Sequence, residues 1–239
     1  MASDDLCYMT ASEAIARFRD KSLSPVELME AVIARSEAVN PKVNAYTYTF
    51  YERALKQARD ATEKYAAGAT TRPLEGIPVA IKDFHPVAGE ITTFGSRAFA
   101  DHVPEKSAPT VARLLDAGGI MHARTTTPEM AYAPYSRSAL WGVTRNPWNL
   151  EFGPGGSSGG AGAAVAAGMG VVNGSPYNAG LLAGRDRPRR VTNPVAPGSR
   201  VKSRQRQTRH GIGQDIVTGR NAGAAVCRHL IAPGQLFRQ

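Results

Sequence analysis

The sequence predicts an α/β fold in which an N-terminal layer of helices precedes a mixed, mainly parallel sheet with helices on both faces. Two helix starts carry complete capping signals near the N-terminus. Further along, two short apolar runs of strand length enclose a helical pattern, and a glycine-rich segment leads into another helix. The chain has 239 residues, enough for one large domain or two small ones.

The first two helices are marked by the residues that begin them. In TASEAIARFRD, Thr10 can cap the helix, and a glutamate three residues later can reach back to it. In SPVELMEAVIARSEAVN, Ser24 is the cap, and Pro25 stands at the first helical position, where its missing N–H has no cost. We expect Asn40 and Pro41 to end this second helix.

The middle of the chain alternates between helix and strand. A third helix is predicted over residues 49–68, and GIPVAIKD then reads as a short buried strand that ends at Lys82 and Asp83. APTVARLLDAGG is helical with a glycine stop, and IMHARTTTP resumes as a strand. Because strand, helix and strand follow one another, we expect the two strands to pair in parallel.

The positive charge of the chain is concentrated in its C-terminal part. The net charge is +9, but residues 185–239 alone contain eleven Arg, one Lys, two Asp and no Glu, so the first 184 residues are close to neutral. Residues 185–210 show neither a strand nor a helix period and include no aromatic residue. The basic balance therefore describes this segment and not the rest of the chain.

Cysteine usage and hydropathy predict a cytoplasmic protein. Cys7 and Cys227 lie at opposite ends of the chain, which fits neither a disulfide framework nor a pair of metal ligands. The first residues include no basic region followed by an apolar run, so we expect no secretory signal. No run of eighteen apolar residues occurs, and we expect no membrane span.

The segment GPGGSSGGAG allows two interpretations. A glycine-rich turn before a helix N-terminus can bind an anion through backbone N–H groups, or it can present a catalytic serine. The phosphate-loop pattern fails because no Lys-Ser or Lys-Thr follows, and the dinucleotide pattern fails because Ser158 stands at its third glycine position. The residues of this segment alone leave both interpretations open.

Lys82 adds a possible partner for these serines. An ammonium at the end of a buried strand is costly, and burial lowers the pKa of a lysine from about 10.4. A neutral lysine is a base, and one that met the Ser157 hydroxyl could move a proton through it. The alternative is that Lys82 pairs with Asp83 or extends to the surface.

Five motifs in order resemble a known family. GIPVAIKD, TTFGS, TTTPEMAY, RNPWN and PGGSSGGAGAAVAAG are similar, in order and spacing, to the N-terminal half of the amidase signature family, from about residue 10 to about residue 170. The resemblance implies Lys82 as the base and Ser157, after a cis peptide bond, as the proton relay. It further implies hydrolysis of C–N bonds in linear amides, a small-molecule amide as substrate, and neither metal nor organic cofactor.

The resemblance ends before the family's nucleophile. That serine belongs to a motif G-[ST]-D-x-G-G-S about two dozen residues beyond Ser157, where this sequence has Leu181. Ser175 is the nearest substitute, but a proline follows it. We therefore expect residues 1–174 to form a partial, truncated amidase signature domain. Residues 175–239 would be a non-matching tail, disordered or frameshifted, and the chain would be inactive.

Two other functions are compatible with parts of the sequence. The glutamine-hydrolysing subunit of a tRNA-dependent amidotransferase belongs to the same family, and the quoted motifs do not distinguish it from a free-standing amidase. A nucleic-acid-binding protein could use the arginines of residues 185–239 on phosphates. We do not expect nucleic acid as a partner, because this segment has no aromatic residue before Phe237 on which bases could stack.

Overall fold

The computed structural model describes residues 6–174, and the tail predicted for residues 175–239 lies outside them. The described helices, in chain order, are α1 (Ala11–Arg19), α2 (Pro25–Val43), α3 (Tyr51–Ala66), α4 (Pro109–Asp116) and α5 (Gly159–Ala166). The strands are β1 (Tyr46–Thr49), β2 (Pro78–Lys82), β3 (Ile120–Thr125), β4 (Arg137–Ser138), β5 (Gly142–Val143) and β6 (Val172–Gly174). Short 3-10 turns cover Arg97–Phe99 and Glu129–Ala131.

The predicted caps of α1 and α2 are confirmed. The Thr10 and Ser24 side chains each accept a hydrogen bond from a backbone N–H in the first turn of their helices, and Glu13 and Glu27 reach back to complete the two capping boxes. The two helices pack together through buried apolar residues, among them Phe18. The helical layer therefore follows directly from local sequence signals.

The predicted end of α2 is wrong by half a turn. The helix continues through Pro41 to Val43, because a proline near the end of a helix removes only its own N–H donor and keeps a helical φ. The helix ends where Asn44 adopts a left-handed φ of 52°. Asn40 assists this ending, since its side-chain oxygen accepts from the backbone N–H groups of the two residues that follow Asn44.

The main sheet has the strand order β1-β3-β2-β6. β2 pairs in parallel with both β3 and β6, and β1 pairs antiparallel with β3, which confirms a mixed, mainly parallel sheet. The register of β2 against β3 shifts between Val79 and Ala80, so that His122 of β3 is the extra residue. β4 and β5 form a separate small hairpin.

Helices cover both faces of this sheet, as predicted. On one face, Val79 and Ile81 of β2 pack with α4 through Val111 and Leu114. On the other face, Ala80 packs with α5 through Ala163 and Ala164. Because side chains alternate along a strand, β2 sends odd-numbered residues toward α4 and even-numbered residues toward α5. This alternation decides where the residues at the end of β2 lie.

Candidate active site

Lys82 is the last residue of β2 and lies on the face that α5 covers. All five residues of this strand are buried, and Lys82 is only 3% exposed. Strand alternation places its side chain on the same face as Ala80. The loop that leads into α5 is packed against that face, so the amine is directed toward the glycine-serine segment.

The structure brings the Lys82 amine and the two adjacent serines together. Lys82 Nζ lies 2.9 Å from Ser157 Oγ and 3.2 Å from Ser158 Oγ. The peptide bond between Gly156 and Ser157 is cis. Ser158 is the residue before α5, so both hydroxyls stand at the N-terminal end of that helix. The contact that the sequence suggested between Lys82 and Ser157 is therefore present.

Burial changes the acidity of the Lys82 amine. It lowers the pKa of Lys82 from its ordinary value of 10.5 to about 8. The ring of Phe84 lies near the amine, with its centroid 5.6 Å from Nζ. Within residues 6–174, Lys82 forms no ion pair with a carboxylate that would hold it protonated. At pH 7 the amine is therefore mostly protonated, but roughly a tenth of it is neutral and can accept a proton, far more than for an exposed lysine.

The glycines let this loop lie directly on the backbone of the TTTPEMAY segment and the residues after it. A Cβ at Gly156 would stand 2.6 Å from the backbone nitrogen of Tyr135, and a Cβ at Gly160 would stand 2.3 Å from Thr126 Oγ1. Thr127 Oγ1 also donates to the Ser157 carbonyl at 3.4 Å. Side chains at these two glycines would therefore push the serines away from Lys82.

Asp83 does not pair with Lys82, so this alternative, which the sequence left open, is wrong. Its carboxylate accepts a hydrogen bond from the backbone N–H of Thr93 at 3.0 Å and another from the Thr93 hydroxyl. It also forms a buried ion pair with Arg124 Nη2 at 3.5 Å. The physical reason is strand alternation, which directs Asp83 to the face opposite Lys82.

Sequence reasoning missed Arg124, the largest fully buried side chain in the described part of the protein. It lies on β3 opposite Ile81 and therefore on the α4 face. Its Nη2 donates to the carbonyl oxygen of His85 at 2.9 Å and to Thr92 Oγ1 at 3.2 Å. The available signal was a basic residue in the middle of a strand predicted to be buried, because a buried arginine requires an acidic or carbonyl partner.

The histidines lie in different surroundings. His122 is fully buried, and its Nε2 lies 3.1 Å from both the Tyr46 hydroxyl and the Met169 carbonyl oxygen. His85 and His102 make ring contacts with phenylalanines of the KDFH and TTFGS segments. Across the described range, no group of three or more His, Cys, Asp or Glu side chains is arranged to hold a metal ion.

The predicted position of the nucleophile is outside the described residues. Leu181 stands where the family resemblance places that serine, and Ser175 is the nearest alternative. Both follow residue 174, the last residue that the structure describes. The described site therefore consists of the Lys82 amine, the two serine hydroxyls and the loops that hold them.

Comparison with known proteins identifies the family of this fold. The Amidase family model matches residues 27–174, more than half of the chain, and this range includes Lys82 and the two serines. The chain belongs to the amidase signature family. The match ends at the last residue of β6.

Individual members of the amidase family show the same partial coverage. A glutamyl-tRNA(Gln) amidotransferase subunit of Carboxydothermus hydrogenoformans is 42% identical over 168 residues, which is 70% of this chain and 35% of that protein. An acylamidase of Rhodococcus erythropolis is 41% identical over 172 residues, or 72% of this chain and 36% of that protein. This chain thus spans about a third of the length of these relatives.

Solved structures agree with the sequence relatives. A fatty acid amide hydrolase superposes with a TM-score of 0.69 at 27% identity, covering 72% of this chain and 31% of that one. A bacterial aryl acylamidase superposes with a TM-score of 0.64 at 30% identity, covering 68% and 34%. The described residues therefore have the fold of amidase signature enzymes. No helix among residues 6–174 is long and apolar enough to cross a membrane.

Proposed function

We propose that this amidase-family chain carries the base and the proton relay of a centre that hydrolyses C–N bonds in linear amides. Lys82 is the base and Ser157 is the relay. The observation that supports this most is the 2.9 Å contact between Lys82 Nζ and Ser157 Oγ, made by an amine whose pKa burial lowers to about 8. A base whose pKa lies near the working pH suits general base catalysis.

In the proposed reaction, protons move along the line from a nucleophilic serine through Ser157 to Lys82. The neutral Lys82 amine takes the Ser157 proton as Ser157 takes the proton of the nucleophile, whose oxygen attacks the amide carbon. The C–N bond then breaks, and the proton held on Lys82 returns through Ser157 to the leaving nitrogen. Ammonia or an amine departs, and water releases the carboxylic acid from the acyl-enzyme by the same route.

The nucleophile limits what this chain does alone. The sequence contains no Asp-x-Gly-Gly-Ser motif, and no serine stands between Ser175 and Ser199. Loss of a catalytic nucleophile leaves only the small acceleration that binding and oxyanion stabilisation provide. We therefore propose that the chain, as its sequence stands, holds Lys82 and Ser157 in place without turning over an amide.

Ammonia release from a panel of simple aliphatic and aromatic amides tests the proposal on this chain. We expect no release above that of Lys82→Ala and Ser157→Ala, with Lys56→Ala as a matched control for a surface lysine. Hydrolysis that disappears in both site variants would show that the chain supplies its own nucleophile. Ser175→Ala would then identify it or exclude it.

The coding DNA across residues 165–239 provides a second test. If another reading frame restores Asp-x-Gly-Gly-Ser shortly after Gly174, the restored protein should hydrolyse amides. Lys82→Ala and Ser157→Ala should then each lower its kcat at least about a thousandfold, the range typical of nucleophile and base knockouts. Full activity in either variant would refute the roles proposed for these residues.

A second candidate is the glutamine-hydrolysing subunit of a tRNA-dependent amidotransferase. It is favoured by the relative from Carboxydothermus hydrogenoformans, whose identity to this chain is 42%, one percentage point above that of the acylamidase. The restored protein separates the two possibilities, because such a subunit would release ammonia from glutamine and the acylamidase class would prefer other amides. For either function we propose a cytoplasmic location and a small-molecule amide as the substrate.

A further inference from the structure

The end of β2 separates two groups of opposite charge onto two faces of the sheet. Lys82 faces α5 and the serines, and Asp83, the next residue, faces the α4 side. Both side chains are almost completely buried, at 3% and 0% exposure. Strand alternation directs Asp83 away from Lys82, but adjacent buried charges of opposite sign attract, so partners on the α4 face are needed to keep the carboxylate there.

Two residues hold the Asp83 carboxylate there. Thr93 donates to it from both its backbone N–H and its hydroxyl. Arg124 supplies the compensating positive charge from the neighbouring strand. Trp141 Nε1 donates to Thr93 Oγ1 at 3.0 Å, which fixes the orientation of that hydroxyl. The carboxylate therefore has its hydrogen-bond partners and its counter-ion on the face away from Lys82.

Stability alone is a poor explanation for the buried guanidinium. Replacing a buried ion pair by apolar residues of similar volume is often neutral or stabilising. Within the described residues, Arg124 Nε and Nη1 are buried with no hydrogen-bond partner, which adds a further cost. Arg124 thus remains in the core although part of its hydrogen-bonding capacity is unused, and this favours a role in the site that it borders.

We propose that Arg124 and Thr93 are positioning residues that hold the Asp83 carboxylate on the far face of the sheet and so leave the Lys82 amine without a counter-ion. This inference rests on the proposed role of Lys82 as a base. A carboxylate within 4–6 Å of an amine favours its charged form and raises its pKa by about 1 to 3 units. An amine paired in that way would have a neutral fraction roughly ten- to a thousandfold smaller near pH 7, and so would rarely accept a proton from Ser157.

Other charged groups near Lys82 do not replace this arrangement. His85 follows in the same loop, and burial together with the positive charges of Lys82 and Arg124 lowers its pKa, so it brings no negative charge. On the α5 face, the contacts of the amine are the hydroxyls of Ser157 and Ser158. Asp83 is therefore the group whose position decides whether Lys82 has a partner.

The test measures the pKa of Lys82 in the full chain by NMR, with lysine carrying ¹³C at the ε position. The resonance that disappears in Lys82→Met identifies the residue. Thr93→Val removes one hydroxyl and keeps the volume, and Arg124→Met removes the counter-ion. Asp83→Asn removes the charge of the carboxylate. Arg59→Met, on the exposed side of α3, is the matched control.

We expect Lys82 to titrate near pH 8 in the unaltered chain, in Arg59→Met and in Asp83→Asn. In Thr93→Val and Arg124→Met its pKa should rise by about 1 to 3 units, because the released carboxylate can approach the amine. Adding Asp83→Asn to either variant should cancel the rise. Arg124→Lys, which keeps a positive charge, should give a smaller rise than Arg124→Met.

An unchanged pKa of Lys82 in both variants, with only a lower unfolding free energy, would overturn the proposal and leave these residues a structural role. A rise that persists when Asp83→Asn is added would also overturn it, since water entry and not the carboxylate would be the cause. If Arg124→Met does not fold, the pKa of Lys82 in Thr93→Val alone provides the test. These readouts need no turnover, so the expected shifts together with full activity of Lys82→Ala in the restored protein would count against the proposed function alone.

Discussion

Replacing Lys82 by methionine tests whether the fold lowers the pKa of this amine. Methionine has a similar length and no charge, so it removes the cost of burying an ammonium. Burial lowers the pKa of Lys82 from 10.5 to about 8 in the folded chain. The unfolded chain therefore binds more protons than the folded chain between these two pH values. Linkage then requires the unfolding free energy to rise as the pH rises through that window.

The magnitude follows from the same two pKa values. At pH 7 both states are protonated at Lys82, and the cost of burying the charge, about 3 kcal/mol, is present in full. The methionine side chain avoids this cost but loses two serine hydrogen bonds worth about 1 kcal/mol each. We expect Lys82→Met to be more stable by about 1 kcal/mol at pH 7. Between pH 7 and 9.5 the wild-type chain should gain about 2 kcal/mol relative to the variant.

Urea unfolding followed by circular dichroism at several pH values between about 7 and 9.5 measures this difference directly. The decisive quantity is the unfolding free energy of the wild-type chain minus that of Lys82→Met, because effects of pH on other groups cancel in it. Lys56→Met, on the exposed side of α3, reports the effect of removing a surface lysine. A difference between wild type and Lys82→Met that stays flat across this range would refute a lowered pKa of the buried Lys82.

Three further predictions concern packing and buried charge. Gly160→Ala should lower the unfolding free energy by about 2 kcal/mol, because its Cβ would meet Thr126. Gly162→Ala, with no atom within 4 Å of the new Cβ, should raise the unfolding free energy by up to about 1 kcal/mol. Equal unfolding free energies of the two variants in urea would contradict the close contact between Gly160 and Thr126. Burial lowers the pKa of His122 to about 4, so the unfolding free energy should fall by about 2 kcal/mol from pH 7 to 4.5. In His122→Leu, the unfolding free energy should fall less over the same pH range. Glu75→Gln should cost about 2 kcal/mol at pH 7, because hydrogen bonds from basic side chains lower the pKa of this buried carboxyl to about 2; thermal melts should show the difference shrinking as the pH falls from 4.5 toward 2.

Local signals predicted those parts of the fold in which neighbouring residues decide the structure. Thr10 and Ser24 cap their helices through residues three positions away, and both capping boxes form as predicted. The contact between Lys82 and Ser157 joins residues 75 positions apart. This contact could still be predicted, because a lysine at the end of a buried strand and a serine before a glycine-rich helix each show an unusual local pattern.

Features that depend on strand register could not be predicted in the same way. The extra residue at His122 shifts β3 against β2, and it decides which β3 side chains share a face with Asp83. Without that register, Asp83 could equally be predicted to form an ion pair with Lys82, its neighbour in the chain. Arg124 was overlooked for the same reason, since its partner Asp83 follows the end of the adjacent strand and is not close to Arg124 in the sequence.

Three features of the site act on the Lys82 amine in the same direction. Burial disfavours the ammonium form, and the carboxylate that could stabilise it is held on the opposite face. The third is the helix dipole: the amine contacts Ser158, the residue before α5, and the positive end of a helix disfavours a nearby cation. The amine can stay in this unfavourable position because the sheet and the glycines of the loop fix the surrounding backbone. Each feature destabilises a protonated Lys82, and the same destabilisation supports the role of base that we propose for the amine.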